Sequence, residues 1–148
     1  MNYQADEHVD VETGPDLGPM FALLEAARNV QGRFEAALDA VGLSPAKYQA
    51  LDALVKAGQP LALSELAGCL NCVRSNVTQL ADRLESDGLM QRVDDPTDRR
   101  AIRAVISPLG VEKHAAGAKV IRSLQEEYAS KISESDGEAF LRVLSALR

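Results

Sequence analysis

The sequence predicts a mainly α-helical fold with one small β-hairpin, and three observations carry that prediction. Apolar residues fill 46% of the 148 positions but aromatics only 4%, with no Trp. The core therefore has to be assembled from Leu, Val, Ile and Ala, which favours packed helices. Apolar positions recur at three- and four-residue steps along most of the chain. One stretch, residues 89–106, changes to alternation around a charged tip, the period of strands. The length suits one domain with a moderate core.

Residues 1–16 are polar and acidic, contain Gly14-Pro15, and are expected to form a flexible tail. Residues 17–41 place Leu17, Met20, Phe21, Leu24, Ala27, Val30, Phe34, Leu38 and Val41 near one side of a long helix that Gly42 closes. Its first part is more apolar than a lone surface helix requires; core packing and contact with a second subunit account for that equally well. Ser44-Pro45 is a cap followed by proline at the first helical position. The helix it starts runs to about Lys56, with Tyr48, Leu51, Leu54 and Val55 inward, and Gly58 ends it. Pro60 to Leu63 can form a short extended segment.

Ser64 is expected to cap a short helix whose apolar side is Leu66, Ala67 and Leu70, and Asn71 suits the turn after it. A second helix starts near Arg74, turns Val77, Leu80, Ala81 and Leu84 inward, and stops at Gly88. Its other face shows Arg74, Ser75, Asn76, Thr78, Gln79 and Asp82. Short polar and amide side chains near a helix N-terminus are what reading base edges in a major groove requires; a plain exposed face is the ordinary alternative. Arg83 lies between the faces and suits bracing the wing or the helix equally, and it is counted with the DNA-binding candidates. Asp82 suits a structural role better than base reading.

In the hairpin, Leu89, Gln91 and Val93 alternate with Met90 and Arg92, and Ile102, Val105 and Ile106 follow the turn with Arg103 among them. The tip is Asp94-Asp95-Pro96-Thr97-Asp98-Arg99-Arg100. Pro96 sets a turn, and Asp98 stands where it could hold the guanidinium of Arg99 or Arg100. A narrow minor groove attracts such an arginine; a solvated tip with a surface ion pair of little energetic weight is the alternative. The pairing of this helix with a basic hairpin tip is the pattern of a winged helix-turn-helix. Ser107-Pro108 then repeats the cap-plus-proline device, and Val111, Ala115, Ala118, Ile121, Leu124 and Tyr128 mark a long helix to about Lys131. Ser133 with Asp136 resembles a capping box. The last helix carries Phe140, Leu141, Leu144 and Leu147. These terminal helices have more apolar faces than a small winged unit can cover.

Four strings in fixed order carry a specific resemblance: V-T-x-L-x-D-R-L-E from Val77 to Glu85, D-G-L from Asp87 to Leu89, D-P-x-D-R-R from Asp95 to Arg100, and S-P-x-G from Ser107 to Gly110. Over residues 43–148, and by pattern alone over 17–42, the chain resembles MarR-family transcriptional regulators. The resemblance implies one domain over 17–148, with 43–107 a DNA-binding winged helix-turn-helix and 17–42 and 108–148 helices that interleave in a homodimer. Two recognition helices would then lie ~34–36 Å apart and meet an inverted repeat in double-stranded DNA. It also implies a repressor relieved by a small phenolic or other aromatic acid, with Arg99 in the minor groove and Asp98 orienting it. Val73 departs from the family, where a capping Ser or Asp is common. His114, near the family's ligand pocket, and Arg28 and Arg33, able to meet an anionic effector, are more simply an interhelical histidine and surface ion pairs.

The net charge of −6 looks wrong for a DNA partner, but its cause is local. Asp6, Glu7, Asp10, Glu12 and Asp16 stand in residues 1–16 with no Lys or Arg, leaving 17 acids against 16 bases elsewhere. Arginines at the hairpin can still act locally, with modest and salt-sensitive nonspecific affinity. The acidity also leaves room for a helical protein-interaction module without DNA binding. Cys69-Leu70-Asn71-Cys72 is a C-x-x-C, but a zinc site lacks a second pair, since only His8 and His114 remain and neither has ligand spacing. It also lacks the β-α-β context of a redox motif. A thiol-based redox-sensing regulator using Cys69 and Cys72 is the alternative; otherwise Cys72 is a small core residue and Cys69 the more exposed of the two. Family members that sense oxidants usually carry the cysteine near the first helix, where this chain has none. Paired catalytic carboxylates, a Ser-His-Asp set and a phosphate-cradling loop are all lacking, so no enzyme, metal or cofactor is expected. No basic-then-apolar leader and no apolar run near the ~20 residues of a membrane span occur, which points to a cytoplasmic protein.

Overall fold

The structure is a computed structural model and describes residues 18–70, 74–98 and 101–146, the side chains of residues 74, 75, 134 and 135 excepted. The expected tail 1–16, the turn at Asn71 to Val73, Arg99 and Arg100, and Leu147 lie outside the described residues. In order come α1 (Gly18–Asp39), α2 (Pro45–Ala57), β1 (Leu61–Ala62), α3 (Leu63–Cys69), α4 (Arg74–Ser86), β2 (Met90–Asp94), β3 (Ile102–Ile106), α5 (Pro108–Ala129) and α6 (Glu134–Ala146). The fold is mainly helical with a small winged sheet, as the sequence predicts.

Local chemistry sets most boundaries. Ser44 accepts from the Lys47 amide at 3.3 Å, and Pro45 opens α2. Ser107 accepts from the Gly110 amide at 2.9 Å and donates to the Gly88 carbonyl at 2.6 Å, so one hydroxyl caps α5 and ties it to the end of α4. Gly88 has φ +70°, a left-handed conformation that lets α4 turn directly into β2. Ser133 accepts from the Asp136 amide at 3.2 Å, the capping arrangement read from the sequence. The expected cap at Ser64 is corrected: α3 begins at Leu63 with Ala62 at the cap position, and the Glu65 carboxylate accepts from the Ala62 amide at 2.8 Å. A carboxylate on the N-terminal turn suits the helix dipole as well.

The sheet is antiparallel in the order β1-β3-β2, with Met90 opposite Ile106, Asp94 opposite Ile102 and Leu61 opposite Ala104. The core lies between this sheet and α2, α3 and α4, and α1 adds Leu38. Leu38, Leu51, Leu66 and Leu84 are fully enclosed, each worth ~1.5–3 kcal/mol of apolar burial. Ala104, which alternation did not single out, is completely buried, because β1 and β2 flank it on both sides. Val55 and Val111, expected inward, are exposed, each at the edge of a recess where α2, β3 and the start of α5 meet.

Helices α1 and α5 pair near the C-terminal end of α5, and apolar residues are left outside. Arg33 of α1 makes a two-pronged ion pair with Glu127 of α5, one prong at 2.9 Å, and lies over the Tyr128 ring at 5.3 Å. Hydrogen bonds from Arg33, then Lys131, hold the Glu127 carboxyl down to about 2. Phe21 is 60% exposed and Leu141 64%, with Met20, Leu24, Val30, Phe140 and Val143 also exposed.

A Cβ on Gly110 would sit 2.1 Å from the Leu89 carbonyl oxygen and 2.8 Å from Ile106 Cγ1. Alanine gains about 1 kcal/mol over glycine inside a helix, but here the obstacle is backbone and no rotamer relieves it. Gly110→Ala is therefore expected to cost a net ~2 kcal/mol, read as a lower urea midpoint at unchanged slope. An equal or higher midpoint would show that α5 is free to move off the sheet.

Candidate nucleic-acid interface

Helix α4 buries Val77, Ala81 and Leu84 and leaves Asn76, Thr78, Gln79, Asp82 and Arg83 exposed. Arg74 and Ser75 open the helix, but their side chains lie outside the described residues. The outward face has two flanks. On one, Asn76, Gln79 and Arg83 border a recess of about 300 Å³ with Gln49 of α2. On the other, Thr78 borders a recess of about 490 Å³ with Ser64 of α3 and Asp98 and Ala101 of the wing. Gln49 and Ser64 were not among the residues the sequence pointed to, because only the packing of α2 and α3 beside α4 brings them to this face.

The wing is held to α4 by Arg92 of β2. Its guanidinium donates to Asp82 Oδ1 at 2.6 Å and Glu85 Oε2 at 3.0 Å, and reaches the Thr78 carbonyl at 3.4 Å. Its backbone amide donates to Glu85 Oε1 at 3.2 Å. Asp82 thus has the structural role expected of it. Arg83 borders the recess on the other flank, and among the described residues the wing is braced by Arg92.

Within the wing, Asp95 is the organising group. Its Oδ1 accepts from the Thr97 amide at 2.7 Å, the Thr97 hydroxyl at 2.6 Å and the Asp98 amide at 3.2 Å. Its Oδ2 accepts from Arg103 Nε at 2.5 Å, and Arg103 also donates to the Pro60 carbonyl at 3.2 Å. The residue is only 7% exposed. The Thr97 hydroxyl and amide, followed by Arg103, hold its carboxyl well below the usual aspartate range. The sequence reading gave the tip to Asp98. An aspartate two residues before a threonine amide is an Asx-turn signal that could have pointed to Asp95 instead. Arg99 and Arg100 lie outside the described residues, so their relation to Asp98 does too.

The remaining candidates are spread over other elements. Cys69 is a free, exposed thiol at the end of α3, and Cys72 lies outside the described residues. His114 of α5 stacks on Tyr48 of α2, 5.4 Å between centroids and 5° between planes, and its Nε2 is 3.1 Å from Asp52 Oδ1. It is a satisfied interhelical histidine. Among the described residues, no group of three or more His, Cys, Asp or Glu side chains could hold a metal ion, and no helix is long and apolar enough to cross a membrane.

Comparison with known proteins then decides the lineage. The MarR family pattern matches residues 43–102. Over 112 residues the chain is 31% identical to the HTH-type transcriptional repressor MdtR of Bacillus subtilis, covering 74% of this chain and 70% of that one. The chain belongs to the MarR family. It is also 42% identical over 79 residues to the uncharacterized HTH-type transcriptional regulator YcgE of Bacillus subtilis, covering 53% of this chain and 49% of that one. The chain spans about half the length of several of the first curated relatives it matches. Among solved structures, the transcriptional repressor CouR, bound to a 23-mer DNA duplex, matches with a TM-score of 0.74 at 25% identity, over 90% of this chain and 97% of that one. These MarR-type relatives are transcriptional regulators and not enzymes.

Because its donors hold it low, Asp95 adds stability that is fully present above the ordinary aspartate range and is lost as pH falls through the lowered folded value. The gap in thermal midpoint between wild type and Asp95→Ala is expected to stay constant from about pH 7 to about pH 5 and to narrow at lower pH. A gap that widens on acidification would show that the carboxylate is not stabilised in its charged form.

Proposed function

We propose that two copies of this chain form a homodimer that binds double-stranded DNA at an inverted repeat and represses transcription in the cytoplasm until a small-molecule effector releases it. The observation that carries the reading is the exposed amide-and-hydroxyl face of α4, Asn76, Thr78 and Gln79, set beside a hairpin tip that Asp95 organises. Residues 43–107 form the DNA-binding unit. Within it Arg74, Ser75, Asn76, Thr78, Gln79 and Arg83 meet base edges and phosphates in the major groove, and Asp98, Arg99 and Arg100 serve the minor groove.

Residues 17–42 and 108–148 supply the dimer interface. An apolar groove of about 580 Å³ between α1, α5 and α6, bordered by Leu23, Val30, Phe34, Leu124 and Phe140, supports this. So do the exposed apolar side chains on the same helices, a larger patch than scattered surface residues make. The repressor sign rests on MdtR and CouR, both named repressors. Release follows if an aromatic or phenolic acid favours a dimer whose recognition helices are wrongly spaced.

Selection of bound duplexes from a random pool tests the reading. The expected outcome is an inverted repeat with half-site centres about one turn apart, ~34–36 Å. Arg99→Ala is expected to weaken binding to the selected duplex by ~1–3 kcal/mol. A strictly monomeric protein that retains no duplex at low salt would point to the protein-interaction module instead. The exposed thiol of Cys69 favours a second reading, oxidation as the releasing signal; binding that peroxide leaves unchanged removes it.

A further inference from the structure

We propose that Arg92 is a positioning residue for DNA binding, acting by offsetting half of the charge of Asp82 and Glu85 on the wing-side flank of α4 so that this helix can approach phosphates. The inference rests on the DNA-binding reading above and deepens it. Asp82 and Glu85 are three residues apart and therefore share one flank of the helix. Asp82 sits on the same outward face as Gln79, with its side chain 57% exposed, and Glu85 is 41% exposed. Left alone, these two carboxylates would stand beside the base-reading side chains and face a polyanion carrying one charge per ~1.7 Å of axis.

Arg92 meets both at once, at 2.6 Å and 3.0 Å, and is itself the most covered of the three at 23%. Ion pairs this open add little to fold stability, so holding the fold together does not account for a three-way cluster at this place. Its position does, because β2 runs from the end of α4 to the wing tip. A cation on β2 therefore halves the flank's negative charge while fixing the wing's distance from the helix. Among the described residues, no carboxylate borders the 300 Å³ recess on the opposite flank, which Arg83 and Gln49 line.

The test compares full-length wild type, Arg92→Gln, Asp82→Asn/Glu85→Gln and the triple variant on one selected duplex by fluorescence anisotropy across a salt series. Far-UV circular dichroism and thermal midpoints report folding. Arg92→Gln is expected to bind roughly tenfold more weakly at low salt, with a salt slope shallower by about 1. The triple variant, whose cluster carries no charge, is expected to recover at least wild-type affinity, and the double variant to bind more tightly than wild type with a steeper slope.

A loss in Arg92→Gln that keeps the wild-type salt slope and persists in the triple variant overturns the inference, because a purely structural brace behaves that way. If Arg92→Gln does not fold, the double variant decides: tighter binding supports charge neutralisation and weaker binding overturns it. The wild-type measurement comes first and separates the two levels, since a wild type that retains no duplex at low salt sinks the DNA-binding reading and this inference together.

Discussion

The geometry of the winged unit depends on the backbone of Leu89. Its amide donates to the Leu84 carbonyl at 2.8 Å, closing α4, and its carbonyl accepts from the Ser107 amide at 3.0 Å, closing the sheet. The same carbonyl lies where any side chain on residue 110 would have to go, so α5 can start here only with glycine. Helix, hairpin and long helix therefore leave one buried point in directions that cannot be chosen separately. Leu84 and Met90, both fully enclosed, surround that point with side chains that exclude water from its hydrogen bonds. The angle between α4 and the wing, on which any DNA contact would depend, is a consequence of this junction.

The surface around α4 shows how an acidic chain can present a face suited to a polyanion. Three carboxylates there, Asp82, Glu85 and Asp95, are each engaged by an arginine that comes from the sheet. Arg92 and Arg103 both lie on strands, one on each arm of the hairpin. Their acidic partners lie on α4 in one case and at the tip in the other, so the same hairpin is tied at its base and at its end. Formal net charge says nothing about this arrangement, because it counts charges without regard to which are already satisfied.

Much of the fold was legible in the sequence, and the divide is one of distance along the chain. The two Ser-Pro starts, the glycine after α4 and the inward stripe Val77, Ala81, Leu84 were readable because their causes lie within a turn or two. Ser64 was misplaced because α3 already starts at Leu63, where Glu65 of the first turn reaches back to the Ala62 amide with a charged acceptor. Ala104 could not be recognised as core, since a small residue carries no signal until β1 is known to pair beside it. The grips of Arg92 and Arg103 join positions seven to forty-three residues apart, and composition cannot announce such pairs. The apolar faces of α1 and α6 were read correctly as excess, and among the described residues nothing covers them.

Helix α5 touches α2 most tightly at Gly117, where a Cβ would meet the Tyr48 ring at 2.7 Å, and His114 one turn earlier stacks on that same ring. The helix has 22 residues, ~33 Å of rigid rod, and this contact divides it unequally. The short arm ends at the sheet and the long arm at the Arg33–Glu127 pair. Such a rod is seated at the sheet and again on an aromatic plate, so ~18 Å of it lies beyond the plate. The seating at the winged unit and the grip among the long helices are thus fixed to one another by a single stiff element.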